Sequence, residues 1–173
     1  MTDKIELNKC YQVIFEALEK GYRSEQVVKL ISDGLGISII VLDFCGSILT
    51  SAYTESCGID PERIAEEKET WVRMMEMYYS GEQVAGRDAV VTQIEPSKQR
   101  IAVMSAILVG DNMEGFCITY HCKESGDENI SEINRLICRA LSIRVGWRDP
   151  VYSSKGSTTK QAVCKILLGK NEE

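Results

Sequence analysis

The sequence predicts an α+β fold of three layers (α/β/α), in which helices cover both faces of a central antiparallel sheet. Two β-rich hairpins support this prediction: residues 37–53 (ISIIVLDFCGSILTSAY) and residues 100–121 (RIAVMSAILVGDNMEGFCITYH), with turns that contain glycine expected at residues 43–46 and 110–115. Apolar residues occupy both even and odd positions of these hairpins, whereas a sheet with one face in water alternates apolar with polar residues. We therefore expect helical layers above and below the sheet.

Two helices are expected before the first hairpin. Apolar residues recur at steps of three and four over residues 3–20, and Gly21 ends this pattern. Ser24 is the expected cap of a second helix, which Gly34 and Gly36 end before the first strand.

Two long helices and one further strand are expected after the first hairpin. An N-cap, a proline and an early acid (Asp60-Pro61-Glu62) predict a helix over residues 61–80. Residues 88–95 are expected to add a strand, and a capping box of Asn129 and Glu132 is expected to open a helix over residues 130–148. This last helix has two apolar stripes, so we expect one to cover the sheet and the other to contact another helix.

The chain divides into three segments by composition. Residues 1–22 form an N-terminal helix of the kind that mediates dimerisation, and residues 23–148 form the body. Residues 149–173 begin with the polar linker DPVYSSKGS and continue as a short helix. We expect this last segment to lead to an output domain that these 173 residues do not contain.

Composition favours a cytoplasmic domain with a sizeable core. The 173 residues are 44% hydrophobic, and the net charge of −6 argues against a broad basic face for nucleic acid. Neither a signal-peptide pattern nor an apolar run of membrane-spanning length is present, so no membrane association is expected. The seven cysteines are scattered and odd in number, which predicts reduced thiols packed as small apolar side chains.

The sequence predicts no catalytic residue, no metal site and no cofactor. His121 is the single histidine, so a Ser-His-Asp arrangement has no support from spacing. Cys117 and His121 share a strand face whereas Cys122 points away, which disfavours convergent metal ligands. The glycine spacings of phosphate-binding loops are missing. Five acidic residues of the helix over 61–80 are interpreted as a solvated face: Glu62, Glu66, Glu67, Glu69 and Glu76.

A candidate ligand site lies where the helix over 61–80 crosses the sheet. This helix is rich in aromatic and thioether side chains, which suit a pocket for a small molecule as well as a filled core. Arg100 is the candidate partner of an anionic ligand. The candidate lining is Tyr53, Cys57, Trp71, Met75, Tyr78, Arg100 and Ser105.

The order of elements resembles the GAF/PAS group of small-molecule sensor domains. Its local signature is the D-x-x-G-x-I/L turn, which here begins at Asp43 and has its glycine at Gly46. The chain is most similar to the GAF-like region that precedes the DNA-binding part of PucR/CdaR-type transcriptional regulators, with Leu167-Leu168-Gly169-Lys170 in the place of their Leu-Leu-x-Gly ending. The resemblance implies a ligand-sensing regulatory domain that contacts DNA only through a separate output domain. No ligand-binding residue carries over from it.

The expected mechanism couples a small cytoplasmic metabolite to a helix movement. The spare apolar stripes of the helices over 3–20 and 130–148 predict a homodimer. Two alternatives stay open. One is a cysteine-dependent GAF-fold enzyme similar to free methionine sulfoxide reductase, and the other is a ligand-free interaction module.

Overall fold

The computed structural model describes residues 7–54, 62, 64–80, 89–94, 100–110, 112–122 and 127–148. Within these ranges only the backbone is described at 64–66, 89–94, 100, 122, 127–128 and 144–148. The helices are α1 (Leu7–Lys20), α2 (Ser24–Leu35), α3 (Ile64–Ser80) and α4 (Asp127–Arg148). The strands are β1 (Ser38–Leu42), β2 (Ile48–Ala52), β3 (Ala89–Ile94), β4 (Arg100–Val109) and β5 (Asn112–Cys122).

The two hairpins meet in one antiparallel sheet. Its strand order is β2-β1-β5-β4-β3, so β1 and β5 join hairpins that lie far apart in the sequence. Ser38 pairs with Tyr120 and Leu42 pairs with Phe116 along this junction. The predicted strand over 88–95 is present as β3 and pairs with β4 at one edge of the sheet.

Both faces of the sheet are covered by helices, which confirms the predicted three-layer fold. One face of the sheet, called here the α4 face, packs against α1, α2 and α4 through residues such as Ile39 and Val41. The opposite face, called here the α3 face, packs against α3 through residues such as Ile40 and Leu42. Neighbouring residues of β1 therefore point into separate cores, and this explains why its apolar residues are continuous rather than alternating.

The described apolar residues of α4, except the exposed Ile143, are buried within this chain. Ile130 packs against Ile101 and Val103 of the sheet. Ile137 and Leu141 join the cluster that α1 and α2 contribute to. Helices α1 and α2 of the same chain thus supply the helix contact that was expected for the second apolar stripe of α4.

Two predicted helix starts are wrong. The N-cap of α2 is Arg23, and the Gln26 side chain accepts hydrogen bonds from the backbone N–H groups of Tyr22 and Arg23 at 2.9 and 3.2 Å. Ser24 is instead the first residue of the helix, and its buried hydroxyl has no partner among the described residues. Asn129 lies inside α4, which begins at Asp127.

The turn of the second hairpin is shorter than predicted. We expected the turn to span residues 110–115, but β4 ends at Val109 and β5 begins at Asn112. The register shifts between Ile107 and Leu108, which pair with Gly115 and Met113. An extra residue is thus accommodated as a β-bulge inside β5 rather than in the turn.

No helix in the described ranges is both long enough and apolar enough to cross a bilayer.

Candidate functional site

Large, soft side chains fill the layer between α3 and the sheet. Trp71, Met74 and Met75 are at most 1% exposed. They pack against β4 and β5, where Met104 and Ile118 are also buried. The sequence places such side chains on one side of α3 because steps of three and four residues return to the same helix face.

A buried polar network lies at one end of this layer. The Trp71 Nε1–H donates to Tyr120 Oη over 2.6 Å, and the Glu67 carboxylate lies close enough to the Tyr120 hydroxyl to raise its pKa. Burial raises the pKa of Tyr120, and the charges of Glu67 and Tyr53 raise it further, whereas the bond from Trp71 lowers it. The hydroxyl therefore stays protonated. One such bond contributes about 1 kcal/mol net, but a buried donor left unpaired costs about 1–3 kcal/mol.

An aromatic cluster lies at the other end of the layer. The Tyr78 and Tyr79 rings both meet the Phe116 ring edge to face, with centroids 5.3 and 5.9 Å apart. Burial and the neighbouring Tyr78 raise the pKa of Tyr79 to about 12. The positions of Trp71 beside Tyr120 and Tyr78 beside Phe116 mean that α3 runs antiparallel to β5.

The signature turn between β1 and β2 lies against the middle of α3. Asp43 Oδ1 accepts hydrogen bonds from the N–H groups of Cys45 and Ser47, both at 2.9 Å. Gly46 has a φ of 84°, a left-handed conformation that favours glycine. A Cβ atom there would lie 3.6 Å from the Met75 Sδ. Asp43 and Gly46 thus have a structural reason to be present, which is the shape of this turn.

The structure brings together four of the seven candidate residues. Trp71 and Met75 are central in the layer, the partly buried Tyr53 packs beside them, and Tyr78 lies at the aromatic end. Ser105 does not join them, because it lines a cleft on the α4 face.

The other two candidate residues have no described side chain. Cys57 lies outside the described residues. For Arg100 the structure describes only the backbone, which pairs with Cys122 and Ile94.

Sequence reasoning missed the polar centre of the site. Glu67 was assigned to a solvated face, but it is 8% exposed and belongs to the network with Tyr120. The helical spacing from Glu67 to Trp71 and Met75 places all three on one side of α3, and this was the signal available. Tyr120 follows Phe116 and Ile118 at alternate strand positions, which places it in the same layer.

The described free cysteines are buried. Burial and the charge of Glu132 raise the pKa of Cys10 to about 11. The pKa of Cys117 is raised by a hydrogen bond with Cys138 and by burial. Raised pKa values reduce the thiolate fraction that nucleophilic attack requires. Cys45 is disulfide-bonded, so the expectation of reduced thiols is wrong at this position.

Metal-binding side chains do not cluster in the part of the chain that the structure describes. No group of three or more His, Cys, Asp or Glu side chains suited to a metal ion occurs there. Cys117 and His121 are both buried on the α4 face, and His121 bonds to Thr119.

Comparison with known proteins relates this chain to others by fold alone. No family model matches the sequence, and no curated protein matches it. Among solved structures, the gliding protein MglB from Thermus thermophilus matches with a TM-score of 0.47 and 11% identity, covering 79% of this chain and 88% of its own. The cofactor-binding GAF domain of the nutrient sensor CodY from Clostridium difficile matches with a TM-score of 0.44 and 11% identity, covering 82% and 98%.

A GAF domain has the same arrangement over most of its length. The Nlh2 GAF domain from A. aeolicus, in an inactive state, matches with a TM-score of 0.51 and 15% identity, covering 83% of this chain and 96% of that domain. The helices and the antiparallel sheet described above therefore form a GAF-like fold.

Proposed function

We propose that this chain is a ligand-sensing regulatory domain of a transcriptional regulator of the PucR/CdaR type. A small cytoplasmic metabolite binds in the layer between α3 and the sheet, and flanking helices of a homodimer transmit the event. Residues 23–148 form the sensor, and residues 149–173 lead to an output domain that contacts DNA.

The observation that supports this proposal most directly is the buried network of Trp71, Tyr120 and Glu67. A hydroxyl, a carboxylate and an indole N–H are held together in an otherwise apolar layer, and such convergent polar groups orient ligands in apolar pockets. Only α3 covers this layer among the described helices, so displacement of one helix admits a ligand. Ligand binding shifts the equilibrium only if the displaced state binds more tightly than the closed state.

The fluorescence of Trp71, which lies inside the layer, is the readout for a metabolite screen. Trp147→Phe leaves Trp71 as the single tryptophan, because the chain has two. We expect one metabolite class to raise the melting temperature in a dose-dependent way and to change the Trp71 emission. Tyr120→Phe removes the hydroxyl that is bonded to Trp71 and lies near Glu67, and should weaken binding about tenfold.

Tyr22→Phe is the matched control for this screen. It removes a hydroxyl at a position that is 84% exposed and should leave binding unchanged. The sensor proposal fails if the screen yields no ligand, or if a ligand leaves the Trp71 emission unchanged and binds Tyr120→Phe as tightly as the parent.

The dimer proposal rests on the outward side of α1. Tyr11 and Phe15 are exposed on α1, whereas Cys10, Ile14 and Ala17 of the same helix are buried. Aromatic side chains four residues apart share one side of a helix and form the α1 stripe, and exposed apolar stripes mark interaction surfaces. A second copy presents the same stripe, so the two α1 helices can bury it together.

Sedimentation equilibrium tests the dimer. We expect a dimer for the wild type and a monomer for Phe15→Glu, because a carboxylate cannot be buried unpaired in the α1 stripe. Gln12→Glu adds the same charge at an exposed position of the same helix and should remain a dimer. A monomeric wild type, or a dimeric Phe15→Glu protein, would contradict the assignment of this stripe.

A ligand-free interaction module is the second candidate, and the close packing of Trp71, Met74 and Met75 favours it. It predicts no thermal shift with any metabolite. The cysteine-dependent enzyme has less support, because the pKa values of Cys10 and Cys117 are raised. Reduction of free methionine sulfoxide by a thiol reductant in the presence of this protein would restore the enzyme alternative.

A further inference from the structure

We propose that a cleft between β4 and α4 is a second binding site, suited to a small oxyanion ligand with a phosphate or carboxylate group. The cleft has a volume of about 250 Å³ and includes Ser105, Arg135, Cys138, Arg139 and Ser142 in its lining. This is below the roughly 300–1,000 Å³ of pockets for drug-sized ligands. The site lies on the α4 face, so the sheet separates it from the layer that contains Trp71.

Two guanidinium groups give the cleft its charge. Arg135 and Arg139 are four residues apart on α4 and so lie on one side of the helix. Arg135 pairs with Glu132 over 3.7 Å in a partly exposed ion pair. Arg139 has no carboxylate partner among the described residues, so its positive charge is uncompensated in a chain of net charge −6.

A buried hydroxyl at the floor of the cleft is the independent sign of a ligand. Ser105 is 3% exposed, and its Oγ has no hydrogen-bond partner among the described residues. The nearby Cys138 Sγ contacts the Ser105 backbone carbonyl, at 3.8 Å, and not this hydroxyl. A buried hydroxyl without a partner is unfavourable, and a bound ion is one of the ways in which native structures satisfy such a group.

An oxyanion satisfies these groups together. Its oxygen atoms accept hydrogen bonds only, which matches a guanidinium fork at the rim and a hydroxyl donor at the floor. A neutral ligand would leave the charge of Arg139 without a counter-charge, and a cation would be repelled by both arginines. Because α4 also contacts α1, occupancy of the cleft acts on the helices that we assign to the dimer.

Calorimetric titration of the whole chain with inorganic phosphate, and separately with succinate, tests this site at constant ionic strength. We expect saturable binding of at least one of the two probes, and the tighter probe identifies the oxyanion type. Arg139→Gln should weaken binding about tenfold, since it removes a charge-assisted hydrogen bond while keeping a long polar side chain. Ser105→Ala should also weaken binding without loss of thermal stability, since it deletes a hydroxyl that has no partner.

Arg73→Gln is the matched control, because Arg73 is an exposed arginine of α3, the helix on the opposite face. It should bind the probes as the wild type does. The site is ruled out if neither probe shows saturable binding, or if Arg139→Gln and Arg73→Gln reduce affinity equally. Binding in the cleft should leave the Trp71 emission unchanged, which separates this result from the metabolite screen of the α3 layer.

Discussion

Lowering the pH from 7 to 4 is expected to destabilise the folded chain by about 3 kcal/mol through His121 alone. This residue is 1% exposed, and burial lowers its pKa from 6.5 to about 4. The unfolded chain therefore binds a proton as the pH falls through 6.5, whereas the folded chain stays neutral at this site until about 4. Each pH unit in this window costs about 1.4 kcal/mol of stability.

Urea unfolding at pH 7, 6 and 5 measures this effect. His121→Gln is the comparison, because it removes the imidazole and keeps a side chain that can bond to Thr119, the partner of Nε2 at 2.7 Å. His121 is the only histidine, so the difference between the two profiles separates its titration from that of the carboxylates. Parallel profiles between pH 7 and 5 would show that the buried imidazole is not responsible.

Gly115→Ala is expected to destabilise the fold by at least about 3 kcal/mol, at the upper end of the range for overpacking. A Cβ atom at Gly115 would collide with the Leu42 backbone carbonyl oxygen of β1. Backbone atoms cannot rotate away as a side chain can, so the end of β1 must separate from β5. Gly115 lies next to Phe116, the partner of Leu42 in the junction of the two hairpins.

Chemical denaturation of Gly115→Ala and Gly110→Asn separates this collision from a general effect of losing glycine. Gly110 has a φ of 62° in the turn of the same hairpin, and no described atom beyond its chain neighbours lies within 4 Å of a Cβ placed there. Asparagine tolerates this conformation, so we expect Gly110→Asn to cost less than about 1 kcal/mol. Equal stability of the two variants would mean that β1 and β5 tolerate the added methyl group.

The layered fold could be predicted because it depends on patterns local to each strand. Ile39 and Ile40 are both buried, and adjacent buried residues in one strand require two cores whatever the strand pairs with. The pairing of β1 with β5 could not be predicted in the same way. It depends on the register of Ser38 with Tyr120, which lie far apart in the sequence, and no local pattern specifies it.

The candidate site was predictable only in part, for a related reason. Trp71 and Met75 were identified because large apolar residues on one helix indicate a buried face. Glu67 and Tyr120 were missed because a carboxylate and a hydroxyl are buried in an apolar layer only when polar groups meet there, and this meeting joins a helix to a distant strand. Ser105 was placed on the wrong face because strand alternation gives two faces without saying which helix covers each.

The unequal covering of the sheet also affects how the molecule opens. Three helices share one core on the α4 face, so removal of any of them disturbs the others. On the α3 face the described cover is one helix, and its release leaves the ladder of β1, β5 and β4 intact. Local opening at α3 therefore costs less free energy than global unfolding, and backbone hydrogen exchange should proceed there while the opposite core remains protected.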